Sequence, residues 1–287
     1  MTVKVMNTCS LSVPPSVAHS ELHRAIVALD SQCDRFEVLA GSLRFVTPLE
    51  LCGLRALIDH AAQLADRVHF DDPLIPDVHN YLARMDFYSD LPPNVELSRK
   101  PPTIRRNDRR DNLIELCRIM SIEDVEALPE RVWRIAHPHF GTGPTAKACG
   151  TAIAAATENV LDHARSPIGA LVAAQRYDRA GLELAVVDLG LGIPTTLRAN
   201  AEFGRLTDLD AVEQAVRDGV TSTGEKGRGA GLAELISTAQ RAGNSTLVIQ
   251  SGYAHLTVSS RGGLANIHRT CPGTPVPGTW ISLRLQP

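Results

Sequence analysis

Val186-Val187-Asp188-Leu189-Gly190-Leu191-Gly192-Ile193-Pro194 is the stretch on which the reading of this chain turns. Leu182, Leu184, Val186 and Val187 form a short apolar run with β-branched members, the pattern of a buried strand. The run stops at Asp188, two glycines then alternate with apolar residues, and Pro194 can open a helix. A carboxylate at the end of a buried strand can accept a hydrogen bond from the exocyclic amine of a purine, and backbone without side chains lets a flat ring approach closely. A strand-to-helix turn with an aspartate cap would explain the same residues, so the choice falls to other segments.

Pro144 to about Ala164 has the composition of a long alanine-rich helix. Near its end Asn159, Asp162 and His163 stand at i, i+3 and i+4, which puts an amide, a carboxylate and an imidazole on one face. An amide oxygen is a hard ligand suited to Mg²⁺, and a histidine one turn away can donate to phosphate or ribose. A polar helix end facing water is the plain alternative. Downstream, Thr221-Ser222-Thr223-Gly224-Glu225-Lys226-Gly227-Arg228-Gly229-Ala230-Gly231-Leu232 runs directly into a helix bearing Leu232, Leu235 and Ile236. Successive backbone N–H groups before a helix N-terminus make an anion site, and Lys226 and Arg228 add positive charge. Thr246–Gln250, His255–Ser259 and, after Pro277-Gly278-Thr279, Trp280–Leu285 are expected strands, giving a mixed or mainly antiparallel sheet.

Other nucleotide signatures fail on context. Gly141-Thr142-Gly143-Pro144-Thr145-Ala146 matches G-x-G-x-x-A, but no strand precedes it and no βαβ unit encloses it. The glycines at 227, 229 and 231 lack the G-K-[ST] ending of a P-loop, and no G-x-S-x-G elbow exists for a serine hydrolase. His137-Pro138-His139 offers two imidazoles but places no third metal ligand.

In order, Asn159 on a helix, D-x-G-x-G at 188–192, G-x-G-x-G at 227–231 and Gly278-Thr279 before the last strand resemble the GHKL (Bergerat-fold) ATP-binding domain. That family includes gyrase, heat-shock chaperones, mismatch-repair ATPases, sensor histidine kinases and anti-sigma-factor kinases. The resemblance covers roughly Pro144 to Pro287. It implies ATP and Mg²⁺ as cofactors, with Asn159 holding the metal and His163 approaching the phosphates. Asp188 would bind the adenine amine, with Gly190, Gly192 and Ile193 near the base and Thr279 supporting it. Lys226, Gly227, Arg228, Gly229, Ala230, Gly231 and Leu232 would cover the phosphates.

Family members that hydrolyse ATP usually carry a glutamate one helical turn before the asparagine as general base, and here that position is Ala155. Glu158 is adjacent to Asn159 and points about 100° around the helix. Catalysis would therefore fall to Glu158 or Asp162. No histidine-bearing dimerisation hairpin is evident, and Pro138 is expected to break a helix through His137 and His139. The similarity to anti-sigma regulatory factors implies a nucleotide-dependent switch acting on a protein partner, a sigma factor or an anti-sigma antagonist. A protein serine/threonine kinase or slow ATPase is the alternative, and a homodimer is compatible with either.

The N-terminal part is expected to be separate: a flexible arm over 1–18, a small α/β domain over 19–91, a Pro/Arg-rich linker over 92–110, then the ATP-binding domain with its leading helices over 111–287. Strands are expected at Phe36–Leu39, Leu43–Val46 and Val68–Phe70, with helices from Leu22 to Leu29, Pro48 to Leu64 and Val78 to Met85. Leu51, Leu54, Leu57, Ile58 and Leu64 mark one apolar face of the middle helix. The segment Phe36 to Phe87, with Phe45-Val46-Thr47-Pro48 before that helix, resembles the STAS-like domains of bacterial anti-sigma antagonists. Helices are expected to resume near Asp111, with a capping box at Ser121-Ile122-Glu123-Asp124 opening one through Val125, Leu128, Val132 and Ile135.

The fold class that follows is α+β, a GHKL-type sandwich with a mixed sheet covered by helices on one face, plus the small α/β domain. A net charge of −3 and an aromatic content of 4% disfavour direct nucleic-acid binding. Six scattered cysteines without a C-x-x-C pair suggest reduced cytosolic thiols. No apolar run approaches a membrane span and no secretory h-region opens the chain, so the expectation is a cytoplasmic protein without a membrane anchor.

Overall fold

A computed structural model describes residues 7–29, 33–104, 112–141, 143–178, 181–217, 231–262 and 264–286. The architecture is α+β, built on two sheets. The first unit runs β1 (Thr8–Ser12), α1 (His19–Ala28), β2 (Arg35–Leu39), α2 (Pro48–Leu64), β3 (Arg67–Asp71), α3 (Pro76–Arg84) and β4 (Val95–Leu97). Its strands pair in parallel in the order β1-β2-β3-β4. The second unit contains β5 (Leu113–Ile119), α4 (Ile122–Glu126), α5 (Leu128–Phe140), α6 (Pro144–Asn159), β6 (Ala170–Tyr177), β7 (Gly181–Val187), α7 (Gly192–Arg198) and α8 (Asp208–Ala215). It ends with α9 (Gly231–Arg241), β8 (Asn244–Gly252), β9 (Ala254–Arg261), β10 (Leu264–Thr270) and β11 (Val276–Gln286). Its sheet has the order β10-β9-β8-β11-β7-β6-β5, and every neighbouring pair is antiparallel.

The helix α2 ties the two units together. Thr47 caps it: its side chain accepts the Glu50 N–H at 3.4 Å, the Glu50 carboxylate accepts the Thr47 N–H at 2.7 Å, and Pro48 takes the first turn. The single apolar stripe expected for it is too narrow. Leu49, Cys52, Ala56 and Ala61 are buried along with Leu51, Leu54, Leu57 and Ile58, because α2 packs against β3 of one sheet and against β6 and β7 of the other. A helix buried nearly all round belongs inside a core. Leu171, Ala173, Ala185, Val187 and Trp280 of the antiparallel sheet accordingly share one apolar cluster with α1 and α2.

The opposite face of that sheet, through Val172, Leu184, Val186, Ile281 and Leu283, packs with Val132 of α5, Ile153 of α6 and Leu235 of α9. Helices therefore cover both faces at the centre, where sequence reading put them on one. Alternating strand residues are apolar in both directions there, so β7 is buried at every position. A buried polar network crosses the seam at α2. The buried Arg55 pairs with Asp59 at 3.0 Å and donates to the carbonyls of Phe87, Ser89 and Asp90, and Arg118 of β5 reaches Asp59 at 2.6 Å.

Several expectations are corrected. Residues 8–12 of the arm form β1, hydrogen-bonded to β2, and Val13 and Val17 are buried. The Leu43–Val46 segment is irregular, following a turn at Gly41-Ser42, with only a bridge from Phe45 to Ser16. The linker begins later than Pro92: β4 extends the parallel sheet, and the buried Asp72 accepts from the Ser98 hydroxyl at 3.1 Å and the Arg99 N–H at 3.0 Å. The Arg99 guanidinium also donates to the Asp72 main-chain carbonyl at 3.1 Å, a tie that composition cannot register. Residues 105–111 lie outside the described residues.

After them the chain resumes as strand β5, not a helix. Leu113, Ile114, Leu116 and Ile119 are buried because β5 is an edge strand between the two cores. Pro138 lies inside α5, near its end at Gly141, where the loss of one N–H does not stop the helix. The strand β10 escaped sequence reading because all its residues are exposed, so it lacks alternation. Cys9 and Cys33 form a disulfide, whereas Cys52, Cys117, Cys149 and Cys271 are free. The parallel pairing of β1 with β2 brings these two cysteines together, and their spacing in sequence gives no hint of it. No helix among the described residues is long and apolar enough to cross a membrane.

Candidate functional site

The interior strand β7 delivers Asp188 just past its C-terminal end, where β11 runs alongside it. Trp280 pairs with Val187, and one residue further the ladder closes on Asp188 and Thr279: the Asp188 N–H donates to the Thr279 carbonyl at 3.0 Å. The Asp188 side chain is 1% exposed. Its Oδ1 accepts the Gly190 N–H at 2.6 Å and its Oδ2 the Thr279 N–H at 3.1 Å. Burial nevertheless dominates and raises the carboxyl to about 7, against the opposing pull of the Gly190 and Thr279 hydrogen bonds. A carboxylate offers about four acceptor positions, so two amide donors and the Thr279 hydroxyl leave capacity for one further partner. A buried carboxyl poised to titrate near neutrality marks a candidate binding site.

Backbone closeness makes the glycines of this region necessary. A Cβ on Gly190 would stand 2.1 Å from the Ala164 carbonyl oxygen, and one on Gly278 2.1 Å from that of Asp188. Gly192 has φ +75° and would collide with the Ser251 hydroxyl. The β8–β11 register slips between Val276 and Thr279, and this irregularity carries Gly278 (φ +68°) onto Asp188. Gly190→Ala is expected to lower stability by about 1–3 kcal/mol, since backbone must give way to a methyl group. A thermal or urea melt measures it, and an unchanged transition would contradict this packing.

Ser251, which sequence reading did not single out, links the parts. Its hydroxyl accepts the Ile193 N–H at 2.9 Å, donates to the Gly278 carbonyl at 2.7 Å and lies 3.2 Å from the Thr279 hydroxyl. Ser166 plays a similar part on the other side, accepting the Leu189 N–H at 3.2 Å and donating to Gly169 at 2.7 Å. A lone serine at a strand end or in a loop has no sequence signature, and only the fold gives these two their partners.

The helix predicted to carry Asn159, Asp162 and His163 does not stay α-helical. It ends as α6 at Asn159, and Val160–Ala164 continue as a π-turn closed by Arg165 at φ +50°. The wider turn alters the expected i, i+3, i+4 stacking. Asn159 and His163 are half-buried, while Glu158 and Asp162 are exposed. The turn reaches the glycine loop directly: the Ala164 carbonyl accepts the Leu191 N–H at 2.7 Å. Thus the end of the Asn159 helix and the end of the Asp188 strand are held against one another.

Gly231 and Leu232 begin α9, which packs along α6, and Leu232 is buried. Lys226, Gly227, Arg228, Gly229 and Ala230 lie outside the described residues. Among the described residues no cluster of three histidine, cysteine or acidic side chains is arranged to hold a metal. A cation held by one amide and the phosphates of a ligand does not require such a cluster. A separate cavity of about 390 Å³ between β1 and α1, lined by Cys9, Leu11, Glu21, Arg24 and Phe36, shares no residue with this cluster. Compared against protein-family models and against curated proteins, the chain matches none.

Proposed function

We propose that the second unit binds ATP with Mg²⁺ and works as a nucleotide-dependent switch on a protein partner, in the manner of the GHKL domains that its motifs resemble. The observation that supports this best is Asp188: a carboxylate 1% exposed, fixed by two backbone amides and surrounded by glycines that no side chain could replace. Its remaining acceptor position suits an exocyclic amine, and the Gly190–Gly192 backbone offers the close approach a purine ring needs. Asn159, at the junction of α6 and the π-turn, would hold Mg²⁺, and His163 would lie toward the phosphates. The loop 221–230 would supply the phosphate cover.

The partner in this reading is a protein, a sigma factor or an antagonist of one, with the first unit as a STAS-like companion domain. Because α2 packs against β6 and β7, a change at the β7 end has a packed route to the first unit. Ala155 in place of a general base favours binding over turnover. ATP with Mg²⁺ is expected to raise the melting temperature, since a ligand at a hundred times its Kd stabilises by about 2.7 kcal/mol. No shift with millimolar ATP would remove the proposal. The kinase or ATPase alternative is tested with Glu158→Ala and Asp162→Ala: phosphate release lost in either variant would establish turnover, and parent protein without release supports the switch.

A further inference from the structure

Three histidines gather where α1 lies on the antiparallel sheet, and a fourth stands beside them on the exposed strand β10. His19 and His23 are one turn apart on α1, His255 is on β9 and His268 on β10. Register aligns Trp280, Gln250 and His255 across β11, β8 and β9, and places His268 opposite Thr257, the next residue on that face of β9. The His23 ring stands edge-on to Trp280 with centroids 4.3 Å apart. His255 contacts the Gln250 amide at 3.5 Å and the Thr257 hydroxyl at 3.3 Å. His23 is 3% exposed, and its Nε2, like the Gln250 Oε1, is buried without a hydrogen-bond partner among the described residues.

Among the described residues the surroundings offer an imidazolium no counter-charge that is not already engaged. Arg284 of β11 faces His19, and its guanidinium is paired with Glu183 of β7 at 2.7 Å. Glu50 of α2, near that pair, already caps its own helix through the Thr47 N–H. Burial first, then His19 and His255, push His23 down to about 3. His19 is lowered by burial, His255 and Arg284, and His255 by burial and His268. We propose that this cluster is an acid-released latch, in which protonation below neutral pH drives α1 off the antiparallel sheet while α2 keeps the first unit attached. The attachment of the first unit through α2 and α3 rests on different groups, Arg118 of β5 with Asp59 of α2 and Arg84 of α3 with Glu115 of β5, each at 2.6 Å.

A histidine whose native pKa is depressed stabilises the packed form above its free value near 6.5, and that stabilisation is lost progressively as the pH falls toward the native value. For His23 alone, release at pH 5 is favoured about thirtyfold over release at pH 7.5. Glu50 acts in the opposite sense, since burial raises its pKa and protonation then favours packing. A variant that keeps Glu50 cancels that contribution.

Hydrogen exchange of the α1 amides in the full chain, corrected for intrinsic pH dependence, tests the latch. Protection at residues 19–28 is expected to fall about thirtyfold between pH 7.5 and 5, with the amides of α2 unchanged and Trp280 emission shifted to the red. His23→Phe, which keeps a ring against Trp280 but cannot titrate, is expected to reduce the loss to a few-fold. Constant protection in the parent, an undiminished loss in the variant, or simultaneous release of α2 would each overturn the latch. Should His23→Phe fail to fold, NMR titration of the parent decides: a His23 ring that protonates near 6.5 while α1 stays protected overturns it, and one silent until α1 opens supports it. None of these readings depends on what the Asp188 site binds.

Discussion

Asp188→Asn is expected to weaken ATP binding by roughly 1–3 kcal/mol, the cost of losing a buried charged acceptor, which titration calorimetry would read as a rise in Kd of about five- to 150-fold. The substitution conserves volume but replaces one carboxylate oxygen by an amino group. That group then faces a backbone N–H, of Gly190 or of Thr279, where an acceptor stood. The parent protein should also show a proton linkage. Burial raises Asp188 to about 7, and an exocyclic amine is bound best by the ionised form. Affinity is therefore expected to rise about tenfold from pH 6 to pH 8 and then level off, a slope absent in Asp188→Asn.

Ligand-free stability should move the other way. A carboxyl with a raised native pKa stabilises fully below its free value and loses that contribution as the pH climbs through the native one. Asp188→Asn is thus expected to cost least, relative to the parent, above pH 7. Unchanged ATP affinity in the variant, or a parent affinity independent of pH, would sink the adenine-reading role.

Trp280→Ala is expected to destabilise the whole protein by about 3–5 kcal/mol, the range for emptying a large aromatic site. Trp280 is fully buried, donates its Nε1–H to the Pro277 carbonyl at 3.0 Å and meets His23 edge-on. It also fits against α2 only because residue 53 is glycine: a Cβ there would lie 2.4 Å from the indole ring. The cavity would open between the two sheets, so both units should melt together in urea, with the midpoint lowered. A separate early transition of the first unit would show that α2 does not unite the cores. Trp280→Phe should cost less, since part of the ring volume and the contact with His23 survive.

Local patterns made much of the fold legible. Pro48 at a first turn placed the start of α2, and the apolar run to Leu64 its end, at the positions observed. Apolar runs located β2, β3, β7, β8, β9 and β11 within a few residues of their bounds. These elements succeed because capping and alternation are short-range properties, set by neighbours a few residues away. The strand β10 and the strand β5 failed for the complementary reason. One has no buried face to impose a pattern, and the other is shaped by two cores that form only after folding.

In the candidate site, sequence determined the residue types: an aspartate after a buried strand, glycines where only glycine fits, and an asparagine at a helix end. Tertiary structure decided their relation. The β7–β11 ladder brings Thr279 and Gly278 onto Asp188 from 91 residues away, and the Ala164 carbonyl fastens the π-turn to Leu191. Partners such as Ser251 acquire a role only through that closure. The placement of α2 between the sheets was likewise invisible to sequence, because a helix hydrophobic on several sides does not say which surfaces will cover it. Side-chain pattern encodes which faces avoid water, whereas the pairing of distant faces emerges only when the chain packs.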